Sequence, residues 1–323
     1  MERDPRLVPT PRIPRKPSWC QNNMNTSIYS RIDENKRQTI YIMVAFTAVI
    51  SAVGYFAGQY FGEGSGLTFL GFALIFSGIS GFISYYESDK IVLAISGAKE
   101  LKESDNLYVH QLVENLCIGS GLPKPKIYVV DDTAMNAFAT GRDPQHAVIC
   151  FTTGIIDRLD KLELEGVVAH ELSHIGNYDI RLMSIVSVLV GTIVLLSDWF
   201  TRGMFYGGGR KKDRGEGSGA LMLIGLVLLL LSPIIASLIK LALSRQREFL
   251  ADSSAALLTR YPKGLADALR KISSDKEVLE AANGATAHLY ITNPLKGNQV
   301  SFMAKLFSTH PPVAERIRLL EEM

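Results

Sequence analysis

Four long apolar stretches constrain the fold of this chain more than any other feature. They are residues 39–61, 67–86, 182–200 and 219–243. At a helical rise of about 1.5 Å per residue, each stretch spans, or nearly spans, a hydrocarbon core about 30 Å thick. The 323 residues are 47% hydrophobic and their mean hydropathy is positive, which is typical of a chain with membrane segments. We therefore predict four transmembrane helices arranged as two hairpins.

The second pair of stretches admits another interpretation, because Pro233 and Lys240 interrupt the last one. A buried helical hairpin of a soluble domain would show the same pattern. Lys240 lies near an end of its stretch, where a lysine stem can run along the lipid and place the ammonium group at the surface. We therefore keep the transmembrane prediction for this pair.

The charges that flank the stretches predict the orientation. Residues 1–38 form a basic arm with eight Lys or Arg before the first stretch, and such charge stays in the cytoplasm. Each hairpin then returns the chain to the cytoplasmic side. The loop at 201–218 is also basic, so two arrangements of the second hairpin stay open: full crossing, or a shallow cytoplasmic hairpin. Residues 1–23 are either a disordered arm or an upstream extension that is not used in the cell.

The residues outside the lipid are numerous enough for one compact domain built from two halves. The predicted division is a basic arm (1–38), a hairpin (39–86), a first domain half (87–181), a second hairpin (182–243) and a second domain half (244–323). We predict a helix-rich α+β fold with a small sheet. Its predicted strands are 126–130 and 146–151, and its predicted helices are 109–116, 162–181, 244–259 and 312–321.

Composition excludes two classes of protein. The net charge is only +2 and the basic residues are scattered, so nucleic acid is not a predicted partner. The three cysteines are far apart and form no C-x-x-C pair, which argues against a disulfide framework or a cysteine zinc site. Cys117 and Cys150 are predicted to be small buried residues.

The strongest chemical signal is the H-E-x-x-H pattern formed by His170, Glu171 and His174. A spacing of four places both imidazoles on one helix face, where one zinc ion can bind both. Glu171 lies about 100° around the helix from His170, close enough to reach a water molecule at the metal and act as its base. A surface histidine pair with a capping glutamate would show the same sequence pattern, but the apolar residues around the motif favour the metal site.

A catalytic zinc site takes three protein ligands and keeps one position open. The next turns after His174 offer no third histidine at the spacing of long zinc-binding motifs, so the ligand must come from elsewhere. Glu248 is the best candidate, because it begins a helix directly after the fourth stretch and Asp252 follows one turn later. Asp252 could accept a hydrogen bond from a ligating imidazole. Without this position after the fourth stretch, Glu248 and Asp252 would be interpreted as part of a solvent-exposed helix face.

These residues together resemble the HtpX-type membrane metallopeptidases, relatives of the CAAX prenyl protease and of the mitochondrial Oma-type peptidases. The resemblance covers nearly the whole chain after Met24. It is carried by the motifs Asn-Ala-Phe-Ala-Thr-Gly at 136–141, H-E-x-x-H, Arg-Glu-Phe-Leu-Ala-Asp at 247–252 and Ser-Thr-His-Pro-Pro at 308–312, with an Arg-Ile pair at 316–317.

The resemblance implies a zinc-dependent protease of the bacterial inner membrane. It implies a multi-pass protein that takes part in quality control and stress response, with a cytoplasmic zincin-like domain that cuts misfolded or damaged membrane proteins. It also implies one zinc ion at His170, His174 and Glu248.

Two further motifs acquire a role only through this resemblance. Asn136, Ala137 and Phe138 are then expected in an edge strand on which a substrate peptide lies extended. His310 and Arg316 are expected near the site, where they either contact the tetrahedral intermediate or stabilise the fold.

Two other classes of protein compete with a membrane protease that has polypeptide substrates. The first is an inactive membrane scaffold or chaperone that keeps a structural zinc ion, although such a site has no use for Glu171. The second is a transporter, but no stretch carries paired ionisable residues near its middle. The remaining histidines, His110, His146 and His288, have no partner at ligand spacing and are predicted to be ordinary residues. The sequence predicts no particular oligomeric state.

Overall fold

The computed structural model describes residues 28–61, 65–207, 245–282, 286–292, 294 and 311–323. Three sequence predictions fall outside these residues: the fourth apolar stretch, His310 and most of the basic arm. The described residues form a helix-rich α+β fold with one small sheet, as predicted.

The described residues form ten helices and four strands. The helices are α1 (Ile28–Phe61), α2 (Gly66–Tyr86), α3 (Ser88–Ile95), α4 (Leu107–Ser120), α5 (Thr153–Arg158), α6 (Lys161–Gly176), α7 (Asp179–Gly207), α8 (Arg245–Thr259), α9 (Pro262–Ser274) and α10 (Val313–Glu321). The strands are β1 (Lys99–Glu100), β2 (Lys126–Val130), β3 (Ala137–Gly141) and β4 (Ala147–Thr152), and single 3-10 turns occur at Pro144–His146 and Ala287–Leu289.

The first two helices have the length and composition of membrane spans. The apolar segments are Ile32–Phe56 of α1 and Gly66–Tyr86 of α2, each with a mean hydropathy of 1.9 and only 22% of its residues buried within the protein. The two helices approach closely, because a Cβ atom on Gly54 would lie 2.6 Å from the Cβ of Ala73. Glycine at this contact is typical of packed helices in lipid.

The third apolar stretch is helical and belongs to α7. Among the described residues, only α1 and α2 are long and apolar enough to cross a membrane, so α7 does not qualify. The first half of the stretch packs against α1. The buried residues of this contact are Ile42, Phe46, Ile50, Leu182, Ile185, Val186, Leu189, Val190 and Ile193. Two spans are thus supported by length and composition, while four spans remain a prediction.

The sheet has the strand order β1-β2-β4-β3 and therefore leaves β3 at an edge. Strands β2 and β4 run parallel, whereas β3 and β4 form an antiparallel hairpin. The hairpin turns at Gly141, whose φ is 136° and whose absent Cβ would lie 2.4 Å from the carbonyl oxygen of His146. Only glycine fits this backbone. The predicted strand 126–130 is confirmed, and the predicted strand 146–151 lies one residue further along.

Both halves of the domain contribute to one hydrophobic core. The cluster includes Leu172 from α6 and Phe151 from β4 in the first half, and Leu269 from α9 and Leu320 from α10 in the second. Helix α6 lies in the middle of this core, since it contacts α8 and α9 as well as β3. The helix that carries the H-E-x-x-H motif is therefore buried between other helices and the sheet.

The prediction of one continuous helix over 162–181 is wrong after Gly176. Helix α6 ends there, Tyr178 adopts a left-handed conformation with φ of 61°, and α7 begins at Asp179. A left-handed residue directly after a helix is a common way to end it. Side-chain bonds stabilise the break, because Asn35 of α1 donates to the Asn177 carbonyl at 2.9 Å and to Asp179 Oδ1 at 2.7 Å.

Candidate metal centre

Helix α6 positions His170, Glu171 and His174 inside the core. A capping box of Asp160 and Glu163 fixes the start of this helix. His170 is 1% exposed and His174 is 4% exposed, so neither ring is a surface histidine. A spacing of one helical turn brings the two rings together, with His170 Nε2 and His174 Nε2 3.2 Å apart.

Glu248 of α8 completes a triad with the two histidines, as predicted from the sequence. Its Oε1 lies 3.6 Å from His174 Nε2, and its Oε2 lies 3.9 Å from His170 Nε2. Ligand atoms about 2.0 Å from a tetrahedral zinc ion lie about 3.3 Å from one another. The observed separations are close to this value. Among the described residues, these three form the one group of metal-ligating side chains that converge in this way.

A buried carboxylate holds each imidazole from behind. His170 Nδ1 lies 3.0 Å from Asp252 Oδ1, and His174 Nδ1 lies 2.9 Å from Asp179 Oδ2. When a ring donates its Nδ1 proton to a carboxylate, its Nε2 presents a lone pair. With both rings neutral, the two Nε2 atoms would face each other as acceptors, and either a proton or a metal ion between them removes this conflict.

Sequence reasoning found Asp252 and missed Asp179. Asp179 was overlooked because an unbroken helix would have pointed it away from His174. The available signal was Asn177, a residue that often ends helices, followed by an acidic residue at the start of the next apolar stretch.

The electrostatics of the triad fit a divalent cation. Burial lowers the pKa of His170, which keeps that ring neutral and able to ligate. Burial has the same tendency at His174, but the hydrogen bond to Asp179 and the charge of Glu248 outweigh it and raise the pKa to about 9. The metal-free site thus holds a proton on His174. Two imidazoles and a carboxylate are the donors that zinc prefers, and zinc would replace this proton.

Glu171 is the remaining ionisable group of the α6 motif. It is 2% exposed, and burial raises the pKa of its carboxyl group to about 7. The charges of His174 and Arg316 and a hydrogen bond from the Ala139 backbone N–H act in the opposite direction. A carboxyl group whose pKa lies near neutrality can both accept and return a proton.

Arg316 of α10 lies behind the triad and is fully buried. Its Nε and Nη2 donate to the two carboxylate oxygens of Asp252 at 2.8 and 2.7 Å. Its Nη1 donates to the Ile291 carbonyl at 3.1 Å and lies 3.3 Å from Glu248 Oε2. Its Nη2 also lies 3.4 Å from both ring nitrogens of His170, so the guanidinium group contacts two members of the triad. A contact between Arg316 and the tetrahedral intermediate stays a prediction.

The segment expected to receive a substrate peptide lies at the start of the edge strand β3. Asn136 is buried and donates through Nδ2 to the Thr292 carbonyl at 3.2 Å. The Ala137 carbonyl accepts a hydrogen bond from the Ile291 N–H at 3.0 Å. Phe138 is buried against the Tyr290 ring. This end of the strand is therefore held by residues 290–292, whereas Ala139 faces Glu171.

The other histidines lie apart from the triad, as expected. His110 contacts the Leu101 carbonyl, His146 pairs with Asp143, and His288 contacts Ser187. Cys117 and Cys150 are buried free thiols, as predicted.

A buried His-His-Glu site on an H-E-x-x-H helix, next to a sheet edge and beside apolar helices, defines a metalloprotease of a membrane-associated type. Comparison with known proteins agrees with this class. Residues 103–323 match the family described as peptidase family M48. The chain therefore belongs to peptidase family M48 and, within it, to the HtpX-type proteases, as the resemblance predicted.

Three relatives illustrate how far the similarity extends. A protease HtpX homolog of Dictyoglomus thermophilum is 46% identical over 92% of this chain and 95% of its own length. The homologs of Caldanaerobacter subterraneus and Tropheryma whipplei are each 43% identical over 92% of this chain and 98% of their own length. Among solved structures, Ste24p of S. mikatae has a TM-score of 0.48 and 18% identity over 91% of this chain and 66% of that one.

Proposed function

We propose that this chain is a membrane-bound zinc endopeptidase that hydrolyses peptide bonds of misfolded or damaged membrane proteins at the cytoplasmic face of the bacterial inner membrane. The observation that carries the proposal is the buried convergence of His170, His174 and Glu248, with Glu171 beside them. Membership of the M48 family and the HtpX names of the relatives support the protease activity. The two apolar helices support the membrane setting.

The residues of the site divide the chemical work. Zinc held by His170, His174 and Glu248 would supply Lewis acidity, which activates water and polarises a peptide carbonyl. Glu171 takes the proton of the attacking water on its carboxylate and gives it to the amine nitrogen of the departing peptide. The Ala139 N–H donates to this carboxylate and so keeps it oriented for both steps.

The substrate peptide is proposed to pair with β3 as an additional strand. Backbone hydrogen bonds would bind it with little dependence on its side chains, which suits a protease of damaged proteins. The edge of β3 is already bonded at Ala137 by Ile291, at Ala139 by Glu171 and at Gly141 by Ser184. The peptide would therefore have to displace residues 290–292 to pair with the start of this strand.

A zinc-containing scaffold or chaperone without activity is the second candidate. It is less well supported, because Glu171 is buried beside the triad without belonging to it. Burial also raises the pKa of its carboxyl group to about 7, which suits proton transfer. A structural metal site gains nothing from such a residue.

The decisive experiment combines metal analysis of the purified full-length protein with digestion of casein. The variants are Glu171→Gln and Glu248→Ala, and the matched control is Glu165→Gln on the same helix. Wild type and Glu165→Gln should contain about one zinc per chain and cleave casein. Glu171→Gln should keep zinc and lose at least about 100-fold in rate, since base catalysis contributes this much. Glu248→Ala should lose both properties.

The possible outcomes separate the two candidates. Zinc in a wild-type protein that does not cleave would favour the scaffold. Full zinc content and full activity in Glu248→Ala would show that the third ligand is another residue.

A further inference from the structure

Asn35 is a polar residue of the first membrane helix that points into the protein rather than into lipid or solvent. It lies near the start of α1, between Glu34 and Lys36 and just before the apolar stretch 39–61, and is 6% exposed. Its Nδ2 donates to Asp179 Oδ1 at 2.7 Å and to the Asn177 carbonyl at 2.9 Å. Both partners are acceptors, so the amide can only present its NH2 group to them. Hydrogen bonds of this kind offset the cost of burying an amide.

Asp179 connects this amide to the metal site. One of its carboxylate oxygens accepts from Asn35, while the other, Oδ2, lies 2.9 Å from Nδ1 of the ligand His174. All three side chains are buried. A short chain of hydrogen bonds therefore runs from the first membrane helix to a metal ligand.

The break between α6 and α7 makes this connection necessary. The last backbone bonds of α6 run from the Asn177 N–H to the Ser173 carbonyl and from the Tyr178 N–H to the Ile175 carbonyl, and the left-handed Tyr178 then turns the chain before Asp179. The position of the Asp179 carboxylate then depends on side-chain partners. Asn35 donates two hydrogen bonds to the segment between α6 and α7, one to the Asn177 carbonyl and one to Asp179 Oδ1. Arg247 Nη1 lies 4.0 Å from the same Oδ1 atom.

We propose that Asn35 is a positioning residue for the zinc ligand His174, acting through Asp179, so that the first membrane helix is part of the metal centre. The inference rests on the proposed zinc site. Groups that orient a metal ligand from behind commonly change metal affinity or activity by about 10- to 100-fold when removed. Loss of Asn35 should therefore weaken zinc binding, although the residue touches neither metal nor substrate.

A role in helix packing alone would give a different result. The apolar contact between α1 and α7 lies further along both helices, at Phe46 and Leu189 among others, and does not include Asn35. If Asn35 only stabilised the packing, both variants would lose thermal stability and keep wild-type zinc affinity. In the positioning role the Asn35→Asp substitution also weakens zinc binding, because an ionised carboxylate cannot donate to Asp179 and repels it.

The test measures zinc affinity of the full-length protein in detergent by competition with a chelator. Variants are Asn35→Ala and Asn35→Asp, with Asp33→Asn as the control because Asp33 is exposed on the same helix. Asn35→Ala should bind zinc about 10-fold more weakly than wild type, and Asn35→Asp at least as weakly. In the loaded enzyme, kcat should fall and KM should stay unchanged. The control should match wild type in all measurements.

Wild-type zinc affinity in Asn35→Ala overturns the proposal. Alanine is the residue best tolerated in helices, so this variant keeps the test valid even if Asn35→Asp does not fold. Equal losses of thermal stability in both variants with unchanged zinc affinity would assign Asn35 to packing alone. A wild-type protein that binds no zinc would instead refute the proposed function, which separates the two failures.

Discussion

The buried carboxyl group of Glu171 should make the metal-free protein less stable as pH rises. Burial raises its pKa from the ordinary 4.5 to about 7 in the folded state. Because the folded pKa exceeds the unfolded one, the folded state favours the protonated carboxyl group. This contribution to stability is complete below pH 4.5 and is lost as pH rises through about 7.

The size of the effect follows from the shift. A change from 4.5 to about 7 corresponds to about 3 kcal/mol, at about 1.4 kcal/mol for each pH unit. Glutamine resembles the protonated side chain and does not ionise. Metal-free Glu171→Gln should therefore match wild type near pH 4.5 and exceed its stability by about 3 kcal/mol at pH 8. For a domain of this size the difference amounts to about 6 to 12 °C in Tm.

Thermal unfolding in detergent with a chelator, at pH 4.5 and pH 8, measures this difference. Glu165→Gln serves as the control because it makes the same chemical change on the same helix at a partly exposed position. Added zinc should reduce the advantage of glutamine, since a nearby dication favours the ionised carboxylate. An equal difference in Tm at both pH values, or a wild type that is the more stable protein at pH 8, would refute the reasoning.

Two further predictions concern the buried arginine and the second hairpin. Arg316→Leu leaves the carboxylates of Asp252 and Glu248 buried without their cation, which should cost about 3 to 5 kcal/mol in the free energy of unfolding measured with denaturant. A loss below about 1 kcal/mol would show that other groups neutralise them. In a cysteine-free background, a cysteine placed at Gly208, outside the described residues, should react with an impermeant maleimide in intact cells if 182–243 crosses the membrane twice. Labelling only after permeabilisation would indicate the shallow hairpin and leave the zinc proposal unchanged.

The parts of the site that the sequence predicted depend on local spacing. His170 and His174 had to share a helix face because they are four residues apart, and Glu171 had to lie beside them. Glu248 and Asp252 were recognisable because they are one turn apart at a helix start next to an apolar stretch. The α+β class and strand β2 likewise followed from short-range patterns of apolar residues.

The parts that the sequence did not predict depend on contacts between distant residues. Asn35 and Asp179 are 144 residues apart, and no local pattern connects an amide at the start of α1 with an acid behind a histidine of the candidate metal site. Strand β1 was not predicted, because a 2-residue element leaves no periodic signal. Helix α9 was missed although its apolar residues recur at helical spacing and a proline stands in its first turn. The hydrogen bond from Ile291 to Ala137 joins two segments whose sequences show no pairing pattern.

The shared core of the two domain halves sets an order of events during biosynthesis. His170 and His174 are synthesised before residues 182–243, whereas Glu248 and Arg316 follow them. The ligand set and the arginine that holds it therefore meet only after residues 182–243 and Arg316 have been synthesised. A nascent chain has the general base but not the assembled centre. In the proposed function, the peptidase therefore stays inactive until the second hairpin has been made, the stage at which its own unfolded segments would be the nearest substrates.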